Sequence, residues 1–478
     1  MKRISKVLWI FHLVGFQVFS QSSTIYTLKQ SVEEGIKNNI QLKINQLNIE
    51  SAELNYGQAR ANRLPNLNAS ANQSENFGRS VDPTTYEFKN QHISSNNLGL
   101  SSSLTLFNGF RINHAIKQNE YTREATQYEY KDTRNTLILN IVNAYIQVLF
   151  NKELLNNNKN QVLVTTSQVE RSQKLVRAGT LPESNALNLM SQQATDELNV
   201  INATNQLTIA KLNLLQFMNV PLESSSPDMI DIENPLILLD TNTTQDDVRD
   251  IYKTAEKTQP SIKGAELRIK STEIGVKVAQ GNKYPRLVLS GSLFTQYANT
   301  RTKIGVEYLG FQPNGSIVNN DPTQLIYGPS FRTTQANYSL PSQWADNFSQ
   351  SVSLNLNIPI FNNFQAKNGV QSAIITNKNA ELNYENTKAQ LRRRIEQAFV
   401  DMKAAQKKFE AVQIQVSANE EAFRITEKRF NAGVINSVDY TISSNNLNRS
   451  RSELLQTKYD LFLKMKVLDF YKGNELIY

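Results

Sequence analysis

Cysteine is missing from all 478 residues of this chain. Its absence excludes disulfides, thiolate metal sites and a lipid-modified amino-terminal cysteine. Histidine is also scarce: beyond residue 20 only His92 and His114 remain, so the common nucleophile and transition-metal constellations are missing. No glycine-rich phosphate loop follows a predicted strand. The sequence therefore predicts no enzyme, no bound metal and no cofactor.

Long apolar runs are missing as well, and the sequence after residue 20 predicts no transmembrane helix. The first residues carry three basic side chains, at Lys2, Arg3 and Lys6, ahead of a short, mostly apolar run from 7 to 19. This order predicts a secretory signal peptide over residues 1–20, with a mature start near Gln21. The alternative, an ordinary amphipathic first helix, is disfavoured by the order of charged and apolar residues.

Charge of one sign is only slightly in excess. The chain has 51 basic and 43 acidic residues, a net charge of +8, which falls to +5 without the three basic residues of segment 1–20. The one dense basic run, Arg392 to Arg394, lies in a helical pattern and predicts a solvated helix face. The sequence has no basic stripe on a recognised binding module, so we expect no nucleic-acid partner.

What the chain does contain is the same long pattern twice. Two motifs recur 254 residues apart: Phe107-Asn108-Gly109-Phe110 with Phe361-Asn362-Asn363-Phe364, and Arg177-Ala178-Gly179-Thr180 with Asn431-Ala432-Gly433-Val434. Further upstream, the segment around Pro65 recurs around Pro285, at a spacing of 220 residues. We predict an internal two-fold repeat, with a first copy over 21–230 and a second over 231–478.

Each repeat is predicted to contain three helices. Apolar residues recur at steps of three and four, and proline-free segments of about 70 residues predict one long helix per repeat, roughly 100 Å in length. Such lengths favour coiled-coil-like packing. Gly179 and Gly433 are expected to end the long helices, and capping boxes at Thr180 and Asn436 to begin the next ones. The predicted helices are 27–62, 109–178 and 182–218, then 247–282, 365–430 and 436–472.

A period of two replaces the helical period between the helices of each repeat. Apolar residues alternate with small polar residues, as from Leu98 to Leu106 and from Val352 to Ile360. A soluble half-buried sheet and a transmembrane β-barrel both fit this alternation. The signal sequence, the small polar faces and the flanking aromatic residues favour the barrel. The predicted strands are 65–71, 97–107, 286–297 and 349–361, with external loops over 72–96 and 298–348.

Four strands are too few to form a barrel by themselves, and an open sheet edge does not occur in lipid. The barrel interpretation therefore requires strands from other copies of the chain. Oligomerisation is predicted together with the membrane location.

The signal peptide, the two repeats and the tips Ala178-Gly179-Thr180 and Ala432-Gly433-Val434 together resemble the TolC family of outer-membrane channels. The likeness covers essentially the whole mature chain. The strand–helix junctions are similar to a family motif of proline, isoleucine or leucine, phenylalanine, asparagine or aspartate, and glycine. The matching residues are Phe107, Asn108 and Gly109, then Pro359, Phe361, Asn362 and Asn363.

The resemblance implies an α+β fold. In it, a membrane β-barrel with four strands per subunit, closed as a homotrimer, is continuous with a long antiparallel α-helical coiled-coil barrel. It implies a location in the outer membrane of a Gram-negative-type bacterium, in contact with the lipid, and a long periplasmic extension. The implied function is a passive exit duct of a tripartite efflux pump or a type I secretion system. A periplasmic adaptor and an inner-membrane transporter would be the partners, and these would supply the energy.

In the family, acidic residues after the tip turn line the constricted end of the tunnel, and Asp439 matches one such position. Ile442 stands where a second acid would form another ring, and Ser184-Asn185 stands where many members have Thr-Asp. A gate held by a network of charged pairs is therefore not expected. Asp439 also has the alternative role of complementing the helix dipole. The gate candidates are Asp439, Ser184 and Asn185.

The resemblance further implies that the hairpin tips dock the periplasmic adaptor. Gly179 and Gly433 are also helix stops, and the two roles are compatible. The docking candidates are Arg177, Ala178, Gly179, Thr180 and Leu181, with Asn431, Ala432, Gly433 and Val434.

Two functions of other classes remain as alternatives. A non-conducting periplasmic coiled-coil scaffold or adaptor should have a lipoyl-like or barrel domain between its helices, where this chain has predicted strand pairs. A trimeric surface adhesin should have one strand cluster near its carboxyl terminus, whereas the predicted strands form two separated pairs.

Overall fold

The computed structural model describes residues 24–81, 86–90, 92–220, 226–233, 247–318 and 321–474. The predicted signal peptide lies outside these ranges. The chain divides into two compact units: a helical unit of residues 1–52, 123–269 and 380–478, and a sheet unit of residues 53–122 and 270–379. Each unit takes segments from both repeats. The predicted division at residue 230 is therefore a division of the sequence rather than of these units, and as a domain boundary it stays a prediction.

Helices and strands alternate along the chain in groups. In chain order they are β1 (Thr24–Tyr26), α1 (Leu28–Asn38), α2 (Ile40–Ala61), β2 (Asn66–Asn76), β3 (Arg79–Val81), β4 (Phe88–Asn90), β5 (Ile93–Phe107), α3 (Arg111–Arg177), α4 (Glu183–Met218), β6 (Ile230–Ile232), α5 (Val248–Thr258), α6 (Pro260–Gln280), β7 (Arg286–Ala298), β8 (Thr302–Val318), β9 (Asp321–Asn337), α7 (Leu340–Asp346), β10 (Ser349–Asn357), α8 (Gln365–Asn431) and α9 (Ser437–Tyr471).

The long helices α3 and α8 each contain 67 residues, and both end at the turns that contain Gly179 and Gly433. The returning helices, α4 and α9, contain 36 and 35 residues. Within the described ranges, no helix is both long enough and apolar enough to cross a membrane.

The helices that precede the strands are each interrupted by one extended residue, where the sequence predicted unbroken helices over 27–62 and 247–282. Asn39 (ψ 121°) separates α1 from α2, and Gln259 (ψ 127°) separates α5 from α6. Pro260 explains the second break, because a residue before proline avoids the α region. At the first break, the Asn39 side chain accepts a hydrogen bond of 3.0 Å from the Leu42 amide, as an N-cap does.

The main core of the helical unit lies around the middle of α3. Seven residues that recur there at steps of three and four are buried, which confirms the helical period: Leu137, Ile138, Ile141, Val142, Tyr145, Val148 and Leu149. Val32 of α1, Leu214 of α4 and Tyr459 of α9 belong to the same cluster. Side chains from helices far apart in sequence thus share one core.

A short parallel pair of β1 and β6, which the sequence did not predict, is attached to this core. The Tyr145 hydroxyl lies 3.1 Å from the carbonyl oxygen of Tyr26 and 2.7 Å from that of Glu233. Lys152 of α3 forms an ion pair of 2.7 Å with Asp231 of β6. Burial acts to raise the pKa of Asp231, but the hydrogen bonds from Lys152 and from the Ile232 amide outweigh it and lower that pKa.

The sheet unit is built on one antiparallel sheet with the strand order β10-β7-β5-β2. β2 and β5 extend beyond the predicted 65–71 and 97–107, whereas β10 ends at Asn357 rather than at 361. Pro359 explains the early end, because it has no amide hydrogen to donate to a neighbouring strand. In the part of the chain that the structure describes, the edge strands β2 and β10 have no further partner in this sheet.

The predicted external loop over 298–348 contains regular elements that the sequence did not predict, and its external position stays a prediction. β8 and β9 form a long antiparallel hairpin, and α7 follows it. The register of the hairpin shifts between Tyr308 and Phe311 and again after Pro313, which breaks the period of two that predicts strands. The other predicted loop, 72–96, contains the end of β2 and the short pair of β3 and β4.

Candidate functional site

The register of the sheet separates apolar and polar residues onto two faces, because directly opposed residues of an antiparallel pair share a face. Leu104 lies opposite Leu289, and Leu289 opposite Leu354. We call this the apolar face; it includes Leu67, Ala69, Leu98, Leu100, Leu104, Leu289, Leu293, Val352, Leu354 and Leu356. In the single chain this face is uncovered, since Val352 is 80% exposed and Leu354 is 61% exposed.

The opposite side, which we call the polar face, carries small polar residues in rows that cross the sheet. One row consists of Asn68, Ser101, Ser292 and Ser351, and the next of Asn66, Ser103, Ser290 and Ser353. The hydroxyl oxygens of Ser292 and Ser351 are 2.7 Å apart, and the Ser103 hydroxyl donates to Asn66 Oδ1 at 3.0 Å. Hydroxyl and amide groups of this kind suit contact with water.

The two junctions that join the sheet to the long helices share one backbone geometry. Gly109 and Phe110 have φ values of +64° and +60°, and the equivalent Asn363 and Phe364 have +51° and +62°. Two successive left-handed residues turn the chain from strand direction into helix. In both junctions the flanking rings meet edge to face, at 5.5 Å for Phe107–Phe110 and 5.4 Å for Phe361–Phe364.

An asparagine lies at the start of each long helix. Oδ1 of Asn108 accepts a hydrogen bond of 3.4 Å from the Ile112 amide, and Oδ1 of Asn362 accepts one of 3.5 Å from the Ala366 amide. These long bonds satisfy one otherwise unpaired amide at each helix start. The asparagines of the family motif therefore lie at positions where they contact the helix that follows.

Gly109 and Asn363 differ in the room around them. A Cβ atom on Gly109 would lie 2.7 Å from Tyr284 Cβ and 2.8 Å from the Gly281 carbonyl oxygen, so no side chain fits there. Asn363 is exposed, and asparagine tolerates left-handed φ better than most residues. Glycine is thus required at the first junction because of its left-handed φ and because a Cβ has no room there. The second junction has the same backbone geometry without glycine.

The two hairpin tips, residues 177–181 and 431–434, also share a backbone geometry. Gly179 has φ +74° and Gly433 has φ +75°. At each tip the glycine amide donates to the carbonyl three residues earlier, and the next amide to the carbonyl five residues earlier, at 2.9 to 3.0 Å. This pair of bonds is the Schellman motif. No atom lies within 4 Å of a Cβ built on either glycine, so backbone conformation alone requires glycine.

The capping box predicted at Thr180 is wrong. The N-cap of α4 is Pro182, which makes no side-chain cap hydrogen bond, and the Thr180 hydroxyl donates instead to the Leu175 carbonyl at 2.9 Å. Thr180 belongs to the Schellman turn, so its side chain contacts the helix that ends there. At the second tip, Asn436 does cap α9, because its side chain accepts 2.9 Å from the Asp439 amide.

Two contacts between the repeats lie at or next to the tips, and sequence reasoning missed both. The Ser437 hydroxyl donates to Asn185 Oδ1 at 2.8 Å, and Arg171 donates to the side chain and the carbonyl of Asn431. The partners are 252 and 260 residues apart, so no local motif indicates them. Asn185, a gate candidate, is therefore engaged within its own subunit, whereas Ser184 is exposed.

Tyr440, in the first turn of α9, is a further residue near the tips that the sequence did not single out. It is 3% exposed, its ring stacks on Phe430 at 4.7 Å, and Phe423 lies 5.5 Å away. Burial raises the pKa of Tyr440 well above its usual range. Asp439, one residue earlier, is exposed in the first turn of α9, a position that complements the helix dipole. Its gate role stays a prediction.

Metal binding finds no support in the described ranges, which contain no group of three or more histidine, aspartate and glutamate side chains placed to hold an ion.

Solved structures share this fold along most of the chain. The outer membrane protein VceC of Vibrio cholerae is 17% identical, with a TM-score of 0.73 and coverage of 94% of this chain and 97% of that one. The CmeC outer membrane channel of Campylobacter jejuni is 18% identical, with a TM-score of 0.72 and coverage of 93% and 85%. At this level of identity the likeness shows the fold.

Sequence comparison extends the likeness to a named relative and a family. The Toxin and drug export protein A of Aggregatibacter actinomycetemcomitans is 21% identical over 448 residues, which cover 91% of this chain and 83% of that protein. The model of the outer membrane efflux protein family matches residues 32–220 and 251–464, most of both repeats. The family consists of channel proteins. This chain therefore belongs to the outer membrane efflux protein family and is a TolC-type channel protein of the outer membrane.

Proposed function

We propose that three copies of this chain close one β-barrel in the outer membrane and form the exit duct of a tripartite efflux pump or a type I secretion system. The observation that carries the proposal is the open four-stranded sheet with an apolar and a polar face. Each step of the argument uses a property of that sheet.

The first step concerns the sheet edges. β2 and β10 are the edge strands, and in the described chain their outer amide and carbonyl groups meet no further strand of this sheet. Unpaired backbone groups cost several kcal/mol each in lipid, so a sheet that crosses a membrane must close. Pairing of β2 of one copy with β10 of the next removes every edge.

The second step concerns the number of copies. Two copies would give eight strands, whose interior is filled by side chains or holds one small ligand. Three copies give twelve strands, the smallest multiple of four that leaves a wider lumen. The homotrimer that the family resemblance implies is therefore also the smallest assembly that suits a duct.

The third step concerns the two faces. Leu354 and Leu356 are each 61% exposed in the single chain, although aliphatic side chains are favoured away from water. Lipid against the apolar face and water against the polar face would suit both surfaces. A soluble sheet would need a protein layer over its apolar face, and in the described chain Leu354 and Leu356 have no such cover.

The helical unit would provide the periplasmic tunnel, and the hairpin tips would dock an adaptor that links the duct to an inner-membrane transporter. Gly179 and Gly433 give the two tips the same turn, which supports a regular docking surface. The name of the relative from Aggregatibacter actinomycetemcomitans supports export as the process. Transport would be passive in this chain, since its sequence has no phosphate-binding loop, and we infer no enzymatic activity.

The scaffold and adhesin alternatives are less well supported. Between its helices an adaptor needs a separate folded domain, but here the strands of both repeats join one sheet. An adhesin would gather its strands near one end of the sequence, whereas the paired strands β5 and β7 come from different repeats.

The proposal is tested with full-length protein purified from outer membranes. We expect a mass of three chains plus bound detergent, and ion conductance after insertion into a planar lipid bilayer. A single monodisperse chain in native-like lipid would contradict barrel closure by several copies. A trimer that inserts into the bilayer without conducting would favour the scaffold.

A further inference from the structure

The polar face of the sheet carries one charged side chain among the described residues of its four strands, and that residue is Arg286. Residues that alternate with Leu289 and Leu293 along β7 are Arg286, Val288, Ser290 and Ser292. The rows that cross the face contain asparagine, serine, threonine and glycine at the corresponding places of β2, β5 and β10. Arg286 therefore adds its charge to a surface that is otherwise neutral.

Arg286 is the first residue of β7, at the end of the strand that follows helix α6. It lies directly opposite Asn357, the last residue of β10. This end of the sheet is also where β5 and β10 lead into the two junctions. The row of Arg286 and Asn357 is thus the last row of the sheet on the side of the junctions.

The guanidinium of Arg286 is available to a ligand. Arg286 is exposed, and within the described ranges no carboxylate forms an ion pair with its guanidinium. Other basic residues near the junctions do have polar partners: Arg111 donates to Asn282 at 2.7 Å, and Arg63 donates to Asn113 at 2.8 Å. A guanidinium keeps its charge at every physiological pH and binds carboxylate and phosphate oxygens with two parallel hydrogen bonds.

We propose that Arg286 is a specificity-determining residue of the channel, and that three copies form a ring of positive charge which favours anionic solutes at the junction end of the barrel. This inference rests on the proposed trimeric duct, which makes the polar face the lumen. Carboxylates, sulfonates and phosphates are the chemical classes that such a ring attracts. The uncharged rows of serine and asparagine beyond it impose no opposing preference.

The absence of native cysteine makes a local test straightforward. Asn355→Cys places a thiol on the polar face, in the row next to Arg286, and Leu356→Cys places one on the apolar face. Intact trimers in membranes are treated with the anionic sulfonatoethyl or the cationic trimethylammonioethyl methanethiosulfonate. The thiolate attacks the reagent sulfur, a mixed disulfide forms and methanesulfinate leaves. The ratio of the two modification rates reports the local potential, whether or not the duct is open at its other end.

We expect the anionic reagent to be favoured at Asn355→Cys, relative to the two rates with a small free thiol. Arg286→Gln in the same background should lower that preference roughly threefold at 0.1 M salt, because the charge acts within about one Debye length of 10 Å. The change should grow at lower salt. Arg286→Lys should retain the preference, and Lys283→Gln, which removes a charge three residues before the strand residue, should leave it unchanged.

The outcomes separate this inference from the proposed function. An unchanged rate ratio in Arg286→Gln, or an equal change in Lys283→Gln, would overturn the role of Arg286 while leaving the duct intact. Equal and rapid modification of Leu356→Cys and Asn355→Cys would show that the polar face is not the lumen, and would overturn both.

Discussion

The Ser437 hydroxyl donates a hydrogen bond of 2.8 Å to Oδ1 of Asn185 and so joins the first turns of α9 and α4. Ser437 is fully buried, although it lies only four residues after the tip glycine Gly433. The equivalent of Asn185 in the second repeat is Asp439, which is exposed. The same position thus has a contact within the subunit in one repeat and a solvent-facing carboxylate in the other.

Asn185→Ala should loosen the start of α9, because a buried hydroxyl loses its partner. The expected cost is about 1 kcal/mol, which corresponds to about fivefold faster amide hydrogen exchange if opening is local. Exchange of residues 437–441 in the intact protein provides the measurement. Ser184→Ala, at the exposed neighbouring position, should leave those rates unchanged. Equal protection in Asn185→Ala and the unaltered protein would mean that this bond does not hold the helix start.

Gly433→Val should reduce transport while barrel assembly continues. At φ +75° a β-branched residue is strained by roughly 1–2 kcal/mol, and the open space around the position excludes a steric clash as the cause. The amount of substrate exported by producing cells reports transport, and the yield of detergent-resistant trimer reports assembly. Gly369→Val makes the same change inside helix α8, with no neighbour within 4 Å and no left-handed φ, and should keep transport. Unaltered adaptor binding by Gly433→Val would remove support for docking at the tip.

Asp439→Asn should change the cation selectivity or the single-channel conductance if three carboxylates line a constriction. If Asp439 only complements the dipole of α9, conduction should stay the same and the unfolding free energy should fall by about 0.3–1 kcal/mol. Reversal potentials in a salt gradient and thermal unfolding distinguish the two cases. An unaltered reversal potential would end the gate interpretation of this residue.

Arginine substitutions distinguish the two faces of the sheet. Leu104→Arg or Leu356→Arg should impair assembly, because an arginine on the lipid side costs free energy in each copy, about 2–4 kcal/mol at the bilayer midplane and less towards its edges. Ser103→Arg or Asn355→Arg, one position away on the polar face, should assemble and alter conductance. The trimer yield in outer-membrane fractions is compared between the apolar-face and the polar-face substitutions. Similar yields for both faces would show that the alternation does not separate lipid from lumen.

Much of the helical architecture follows from local signals. The turns after α3 and α8 each contain a glycine with left-handed φ, at the positions Gly179 and Gly433 that the sequence predicted. The buried residues of α3 follow its apolar period. The predicted strand 349–361 runs past the end of β10 at Asn357, although it contains Pro359. The proline should have shortened the predicted strand, because a residue without an amide hydrogen is unsuited to the middle of a sheet.

Other features depend on contacts that no local pattern contains. The break at Asn39 has no proline next to it that would predict it. In β8 and β9, bulges and the glycine and proline residues within the strands interrupt the alternation that predicts a strand. At the tips, the bond between Asn185 and Ser437 joins residues 252 positions apart. The sequence thus predicts the turns that contain the candidate docking residues, whereas it does not predict the contacts between the repeats next to those turns.

The close packing at Gly109 has a consequence for how the two repeats could diverge. Any side chain there collides with Tyr284 and with the Gly281 backbone, so every substitution of Gly109 requires the backbone around it to move. The equivalent Asn363 is exposed and keeps its left-handed φ without glycine. The two junctions therefore differ in the substitutions they can accept. The first has room for glycine alone, and the second can accept residues that tolerate a left-handed φ.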